Sequence, residues 1–599
     1  MSDEQRNTIW RFAIIFAFIL LGFGAVVGKI IYIQTAERDE WLKVAEKQVP
    51  THRPIRATRG NILDCNGQLL ASSMPQYYMY MDTRVEALHQ KGGKLLYEHI
   101  DSLSRDLATI VGEHTQAEYR QRIVNAYNKG EKRLRVCDHR INYLQRRALE
   151  QNALIKKGKY KSGILFEDQH RRIKPFGILA SRTIGGIYGE DGVGNSGLEK
   201  GFDTQLRGKD GMSSIQKIGG RYEQVTITEA EDGVDIVTTI DANLQDIVEK
   251  ALMTKVAERN ANWGCCVLME TQTGYIRAIA NLDRSEEGTY YEAQNHAVQR
   301  VEPGSTFKTI ALVAALDDGK IEIDDTVSVS RRPWQYFSVK HTDAHALDTL
   351  LTVRSALAVS SNIALAKIIT RCYEGSAKKF VRRIERMGLT DSVYCEIPGA
   401  DKVRIDVPRD TVTLSKMSYG YSVELSPMQI LMFYNALAND GKMMRPMLVT
   451  GIREDGEDKV TYKPEVVKSS ICSKRTLRDI QSALHDVVWD NRLGTASAKP
   501  WSKKAQSNLV PIAGKTGTAQ LFMPGRGYSA NHHRMTFVGY FPEENPRYTC
   551  ICMIEDPKPA GSYDAGMDCG STVRIIAEKT MAYTGCYIYR EGERILEKR

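Results

Sequence analysis

The chain begins with a short polar stretch and then runs almost without interruption through apolar residues over 12–28, followed by Lys29-Ile30-Ile31-Tyr32-Ile33. With its apolar flanks this run is long enough to cross a bilayer once as a helix. No small-x-small cleavage site precedes the next polar segment, so the pattern predicts a retained signal anchor over 9–33 rather than a cleaved leader. A helical-looking stretch continues to about Gln48. Apolar runs on either side of Asn66-Gly67 then predict a hairpin, and residues 85–160 mix charged and apolar positions at helical spacing. Residues 233–239 read as a strand, and Asn243 onward as a helix that opens a second domain.

That second half has a legible plan. Residues 264–270 and 275–280 are two strands joined by Thr271-Gln272-Thr273-Gly274, a hairpin by composition. The run over 306–318 is apolar at helical spacing, opened by Pro303-Gly304 and stopped by Gly319, and 362–370 is a second helix. Three more strands follow at 512–520, 535–541 and 548–554, the last two linked by Pro542-Glu543-Glu544-Asn545-Pro546. Strands from both ends of the segment with helices between them imply one antiparallel sheet flanked by helices, an α+β architecture.

Composition narrows the functions open to this chain. Its 599 residues leave room for an anchor and two or three domains. The formal charge of +9 is spread along the sequence without a dense Lys/Arg tract or a nucleic-acid module, so no nucleic-acid partner is expected. All 11 cysteines follow the anchor, an odd number, with Cys265-Cys266 adjacent and Cys550-x-Cys552 on one strand face. There is no C-x-x-C pair and no His/Cys cluster at zinc spacing, and His532-His533 reads as a pair in a loop. We expect no disulfide framework, no metal and no cofactor. Arg6 and Arg11 precede the apolar run while Lys29, Arg38 and Lys43 follow it, so charge counting does not orient it. Gly24 and Gly28 form a small-xxx-small pair that suits the close approach of another membrane helix.

The chemistry is carried by Ser305-Thr306-Phe307-Lys308. Serine and lysine at i and i+3 share a helix face, and a neutral amine there can take the hydroxyl proton and make serine an acyl-transfer nucleophile. Chance supplies about two S-x-x-K tetrads in a chain of this length, so the motif needs company. It has Ser360-Ser361-Asn362 downstream and Lys515-Thr516-Gly517-Thr518 near the C-terminal end. In this reading Lys308 is the base, and Lys515 supplies a neighbouring charge that lowers its pKa. Ser360 relays a proton to the leaving amine, and Asn362 holds a substrate amide. The Thr516–Gly517–Thr518 edge accepts an extended peptide with a terminal carboxylate by strand addition, and the Ser305 and Thr518 amides form an oxyanion hole.

The order S-x-x-K, S-x-N, K-T-G is the signature of the penicillin-binding protein and serine β-lactamase superfamily. Several further segments make the chain resemble a class B penicillin-binding protein, a monofunctional peptidoglycan D,D-transpeptidase. Pro303 to Lys308 resembles that family's P-G-S-x-x-K, and Arg59-Gly60 to Ala71 resembles its R-G-x-I-x-D-R-x-G-x-x-L-A, with Cys65 where the family usually has Arg. Residues 196–211 and Gly539-Tyr540-Phe541-Pro542 are similar to other family segments, and the resemblance runs from the anchor to about residue 555. It implies a cytoplasmic tail at 1–8, the anchor at 9–33, an elongated pedestal of the family's dimerisation type at 34–235, and a transpeptidase domain at 236–599.

The resemblance also implies a function. Ser305 would attack the penultimate D-Ala carbonyl of a peptidoglycan stem peptide, release terminal D-Ala and pass the acyl group to an amine of a neighbouring stem, and β-lactams would acylate the same serine. It places the protein in a bacterial inner membrane as a single-pass protein, with its catalytic domain in the periplasm or outside, beside a multi-span glycan polymerase and other cell-division membrane proteins. Met417-Ser418-Tyr419-Gly420-Tyr421 with Leu425-Ser426-Pro427-Met428-Gln429 is more similar to division members than to elongation members. A β-lactamase is the nearest rival, but no E-x-x-L-N-like loop lies between Ser360 and Lys515, and the large upstream domain is superfluous to one. A β-lactam sensor would carry several membrane spans and a protease motif. A bifunctional polymerase would carry a glycosyltransferase domain, whose acidic motif Glu167-Asp168-Gln169-His170 resembles only superficially. A non-catalytic scaffold has no use for a reactive serine.

Overall fold

The computed structural model describes residues 3–38, 52–189, 192–218, 221–344, 347–389, 395–499, 504–559 and 563–585. Most of the helical stretch expected up to Gln48 lies outside them. The chain divides into two compact units, the smaller made of Met1–Ala57 with Lys209–Asp232 and the larger of Thr58–Gly208 with Gly233–Arg599.

The smaller unit contains the N-terminal helix Asp3–Thr35. Within it, the 22 residues Ile14–Thr35, of mean hydropathy 2.5, are long and apolar enough to cross a membrane. The same unit has a three-stranded antiparallel sheet in which Gly211–Ile218 pairs with both His52–Ile55 and Arg221–Thr228.

In the larger unit the Asn66-Gly67 hairpin forms as expected. Ile62–Leu63 pairs antiparallel with the long strand Leu69–Met81, and Gly67 takes a φ of 82° in the turn. The helical region contains Lys94–Ile110 and Gln116–Lys129, the second opened by a capping box at Thr115. Glu167 and Asp168 lie on the strand Ile164–Ile173, where they pair with Arg133 at 2.6 Å and Arg146 at 3.2 Å. These acidic side chains are held in surface ion pairs.

Two of the family-like segments meet here around buried charge. Arg59 bonds Glu199 at 2.7 Å and Asp203 at 2.8 Å, and Arg172 bonds the other Glu199 oxygen at 2.6 Å. Gly60 lies so close to the next strand that a Cβ there would sit 2.1 Å from the Val234 carbonyl oxygen. The strand Asp235–Thr238 then pairs parallel with Ile62–Leu63 and antiparallel with Val449–Glu454, so one sheet draws strands from both sides of residue 236.

The second sheet positions the site. In chain order its strands are β1 (Trp263–Glu270), β2 (Ile276–Arg284), β3 (Tyr290–Tyr291), β4 (Ala513–Met523), β5 (Gly527–Phe541) and β6 (Tyr548–Glu555). They lie in the order β3-β2-β1-β6-β5-β4, antiparallel throughout, which leaves β4 as an edge strand. Helices flank the sheet: α1 (Ala242–Glu258), α2 (Phe307–Asp317), α3 (Asn362–Tyr373), α4 (Pro427–Ala438), α5 (Lys474–Trp489) and α6 (Ser571–Tyr583).

Helix α2 departs from the amphipathic expectation. Every residue from Phe307 to Leu316 is buried, Lys308 included. A helix apolar on all sides belongs inside a core, so the lysine in it has no route to bulk water along its own helix. His532-His533, expected in a loop, lies within β5. Gly and Ser in the flanking sequence suggested a loop, but the pairing of His533 with Gln520 keeps this stretch in the ladder.

Candidate active site

Ser305 stands on a single 3-10 turn, Gly304–Thr306, that leads directly into α2. The turn is seated from below by the Met417–Tyr421 segment. Gly420 has a φ of 92°, its carbonyl accepts from the Gly304 amide at 3.2 Å, and a Cβ on Gly420 would fall 2.0 Å from the Gly304 oxygen. Only glycine fits both the left-handed backbone and that approach. From α4, the Tyr434 hydroxyl donates to the Thr306 carbonyl at 2.9 Å and bonds the Thr309 hydroxyl at 2.7 Å.

The three motifs converge on Ser360. Its hydroxyl lies 3.1 Å from Lys308 Nζ and 2.9 Å from Lys515 Nζ, and Lys308 also donates to the Ser360 carbonyl at 2.5 Å. Ser360 has a φ of 60°, left-handed backbone that a serine adopts only at some cost, of order 1–3 kcal/mol. That conformation turns both its hydroxyl and its carbonyl to the amines. Ser361 caps α3, and Asp343 holds the start of that helix, accepting from the Ser361 hydroxyl at 2.6 Å and the Asn362 amide at 2.6 Å. The Asn362 side chain donates to the Thr342 carbonyl at 2.9 Å.

Both lysines are fully buried, at 0 % exposure. Burial disfavours the ammonium form and pushes Lys308 down from the usual lysine range to about 7, against the pull of the Asp343 carboxylate. Lys515 lies well below its usual value because of burial first and the charge of Lys308 second. Two amines sharing one hydroxyl in this setting cannot both stay charged, so one lone pair is available to accept a proton.

Ser305, Ser360, Asn362, Thr516 and Thr518 line a cavity of about 610 Å³, with both lysine amines beneath its surface. Gly517 packs against the nucleophile turn, where a Cβ would meet the Thr306 methyl at 3.0 Å. Strand β4 therefore presents Thr516 and Thr518 to the cavity along a sheet edge. All eight residues picked out by sequence thus gather in one place.

The cavity also contains residues that the motifs did not indicate. Asp343, Tyr419, Tyr421, Thr495, Lys504, Tyr563 and Asp564 are on its walls. Tyr419 and Tyr421 lay inside a segment noticed only for its family likeness, whereas Asp343, Thr495 and Lys504 are isolated polar residues in connecting segments with no local signal. Residues 563–566, beyond the end of the sequence resemblance, form part of the wall ahead of α6.

The chain is similar to known proteins along most of its length. The family model "Penicillin binding protein transpeptidase domain" matches residues 264–578, and "Penicillin-binding Protein dimerisation domain" matches 54–238. The chain is 27% identical over 582 residues to the peptidoglycan D,D-transpeptidase FtsI of Escherichia coli K12, covering 94% of this chain and 90% of that one. It is 26% identical over 579 residues to the probable peptidoglycan D,D-transpeptidase PbpC of Pseudomonas aeruginosa, covering 94% and 93%. Among solved structures, penicillin-binding protein 2X of Streptococcus thermophilus superposes with a TM-score of 0.76 at 22% identity, covering 90% of this chain and 81% of that one.

Proposed function

Since this chain belongs to the class B penicillin-binding proteins, enzymes of the serine transpeptidase family, we propose that Ser305 is the nucleophile with which it cross-links peptidoglycan stem peptides. The observation that carries this reading is the pair of buried amines, Lys308 and Lys515, on the one Ser360 hydroxyl beneath a cavity lined by Ser305. The Ser305 hydroxyl attacks the penultimate D-Ala carbonyl, and its proton passes to the neutral Lys308 amine as the C–O bond forms. The Ser305 and Thr518 amides hold the oxyanion. When the C–N bond breaks, the departing D-Ala amine takes a proton relayed through Ser360 from the lysine pair. An amine of a neighbouring stem then attacks the ester and restores Ser305.

Asn362 fixes the donor peptide through an amide contact, while Thr516, Gly517 and Thr518 take its backbone and terminal carboxylate along the free edge of β4. β-Lactams enter by the same route and stop at the acyl-enzyme. The apolar N-terminal helix supports a single-pass anchor in a bacterial inner membrane, with the domains at 34–235 and 236–599 on the periplasmic or outer side. The Met417–Tyr421 segment and relatives named FtsI support a septal role, beside a multi-span glycan polymerase and other division proteins.

Labelled penicillin is expected to leave a long-lived adduct on Ser305, located by peptide mass spectrometry, and Ser305→Ala to remove it. Label that survives the substitution would rule out this nucleophile, and rapid release of hydrolysed drug would point to a β-lactamase. Depletion in cells separates the roles within the family: filaments mean division, rounding means elongation.

A further inference from the structure

In the segment matched by the dimerisation-domain model, two loops meet around groups that can ligate a metal. Glu113 and His114 lie between the helices Lys94–Ile110 and Gln116–Lys129, and Asp138 and His139 follow the strand Leu134–Arg135. Donor atoms of Glu113, His114 and Asp138 all fall within 4.8 Å of one another. The Glu113 carboxylate pins the facing loop: Oε2 accepts from the Asp138 amide at 2.6 Å and Oε1 from the His139 amide at 2.8 Å. His139 Nδ1 lies 3.0 Å from the same Oε1. The Glu113 side chain is only 14% exposed, while Asp138, at 44%, leaves the cluster open to solvent on one side.

Protein groups alone do not satisfy this cluster. His114 Nε2 lies 2.6 Å from Asp138 Oδ2 and 3.3 Å from Arg122 Nη1. A ring nitrogen either donates or accepts, so it meets the carboxylate or the guanidinium but not both. Arg122 has its own partner in Asp138 Oδ1 at 2.7 Å. A second, separate sign is Tyr119. It is fully buried, and its hydroxyl has no hydrogen-bond partner among the described residues. The His114 imidazole stands edge-on to its ring at 5.2 Å between centroids, and the phenol oxygen lies in the field of Cys137, Glu113 and Asp138. A buried hydroxyl left unpaired is costly, and a water held on a cation beside it supplies the missing partner.

We propose that Glu113, His114 and Asp138 bind a zinc ion, with a water as fourth ligand and the Tyr119 hydroxyl as that water's partner. Zinc takes imidazole nitrogen and carboxylate oxygen at about 2.0–2.2 Å in a tetrahedron, which sets ligand atoms roughly 3.4 Å apart. The three donors need only small side-chain turns to reach that spacing. One imidazole with two carboxylates suits zinc better than magnesium or calcium, which favour oxygen alone. Two carboxylates against the Arg122 guanidinium leave one negative charge to attract the ion, and the amides on Glu113 hold that ligand in orientation. His114 and Asp138 are 24 residues apart, which is why no zinc spacing showed in the sequence. The ion ties the two loops together and takes no part in chemistry at Ser305.

The test titrates zinc chloride into full-length protein stripped of metal by a chelator, with cobalt chloride in parallel. One zinc per chain is expected with a Kd of about 1 μM or below, and cobalt should give the visible absorption of a four-coordinate ion without thiolate charge-transfer bands. His114→Gln and Asp138→Asn should each weaken zinc by roughly a hundredfold or more, and Tyr119→Phe by about tenfold. No binding to the wild-type protein overturns the proposal, as do thiolate bands, displacement of zinc by equal calcium, or affinity unchanged in His114→Gln. Unchanged affinity in Tyr119→Phe overturns the part given to its hydroxyl. Penicillin labelling of Ser305 should persist in every variant and so report a folded protein. Should a variant fail to label, the wild-type titration and cobalt spectrum still decide.

Discussion

Two of the places where this molecule buries cations do it in opposite ways. Around Glu199, Arg59 and Arg172 meet their countercharges at 2.6–2.8 Å, and Asp203 adds another carboxylate. Around Ser360, Lys308 and Lys515 are buried as deeply but, among the described residues, bond only hydroxyl and carbonyl oxygens. A desolvated ion with its partner in place stays ionised and serves as structure. A desolvated amine without a partner gives up its proton instead. The residue types differ accordingly: arginine holds its proton under any such pressure and fits carboxylates with two N–H groups at once, whereas lysine yields. The same physical cost thus stabilises one region and makes the other reactive.

The sharpest way to break this contrast is to remove one charge from each side. Lys308→Met is expected to slow penicillin acylation by about three orders of magnitude, the scale of a lost general base, while leaving the thermal midpoint unchanged or higher. A variant that acylates normally would remove Lys308 from the mechanism. Glu199→Ala should do the reverse: it strands the buried Arg172 guanidinium, leaves Arg59 with Asp203 alone and costs about 3–5 kcal/mol, read by chemical denaturation, while protein that remains folded still acylates. A smaller effect is expected at the support of the nucleophile turn. Gly420→Ala places a methyl against the Gly304 carbonyl and should lower acylation roughly tenfold to a hundredfold, since small displacements of a reacting group carry that cost. Normal acylation there would show that the turn does not depend on the segment beneath it.

The smallest effect is one of pH. Lys308 loses its proton near pH 7 when folded and near 10.5 when unfolded, so acylation should rise with pH through about 7 and fall away below it. Between those two values the unfolded chain binds the extra proton, and stability from this group therefore increases with pH. Lys308→Met should flatten that part of the stability profile, and an unchanged slope would assign it to other groups. Burial also holds Lys174 below the usual lysine range, against the pull of Glu199, so Glu199→Ala should steepen the slope rather than flatten it.

Much of this was readable in the chain itself. The hairpin at Asn66-Gly67, the strands at both ends of the second half and the helix behind Ser305 follow from turn chemistry and periodicity, which are local properties. Ser305, Lys308, Ser360, Asn362 and the Lys515–Thr518 run were readable because their chemistry demands particular residues at short spacing. The polar walls were not. Asp343 holds Asn362, and Thr495 links Thr516 to Lys504, yet each is an ordinary residue in a connecting segment, and its role depends on partners 9 to 21 residues away that no periodic spacing ties to it. The residues flanking His533 suggest a loop, while strand pairing with Gln520 keeps it in the sheet.

By itself, then, the order of amino acids determined the set of reactive groups and the elements that carry them, since a covalent spacing of three residues or a turn dipeptide is fully present in one dimension. Only the tertiary structure decided which of those groups keep their charge. Ionisation depends on how much water and how many countercharges surround an atom, and both are supplied by chain segments hundreds of residues away.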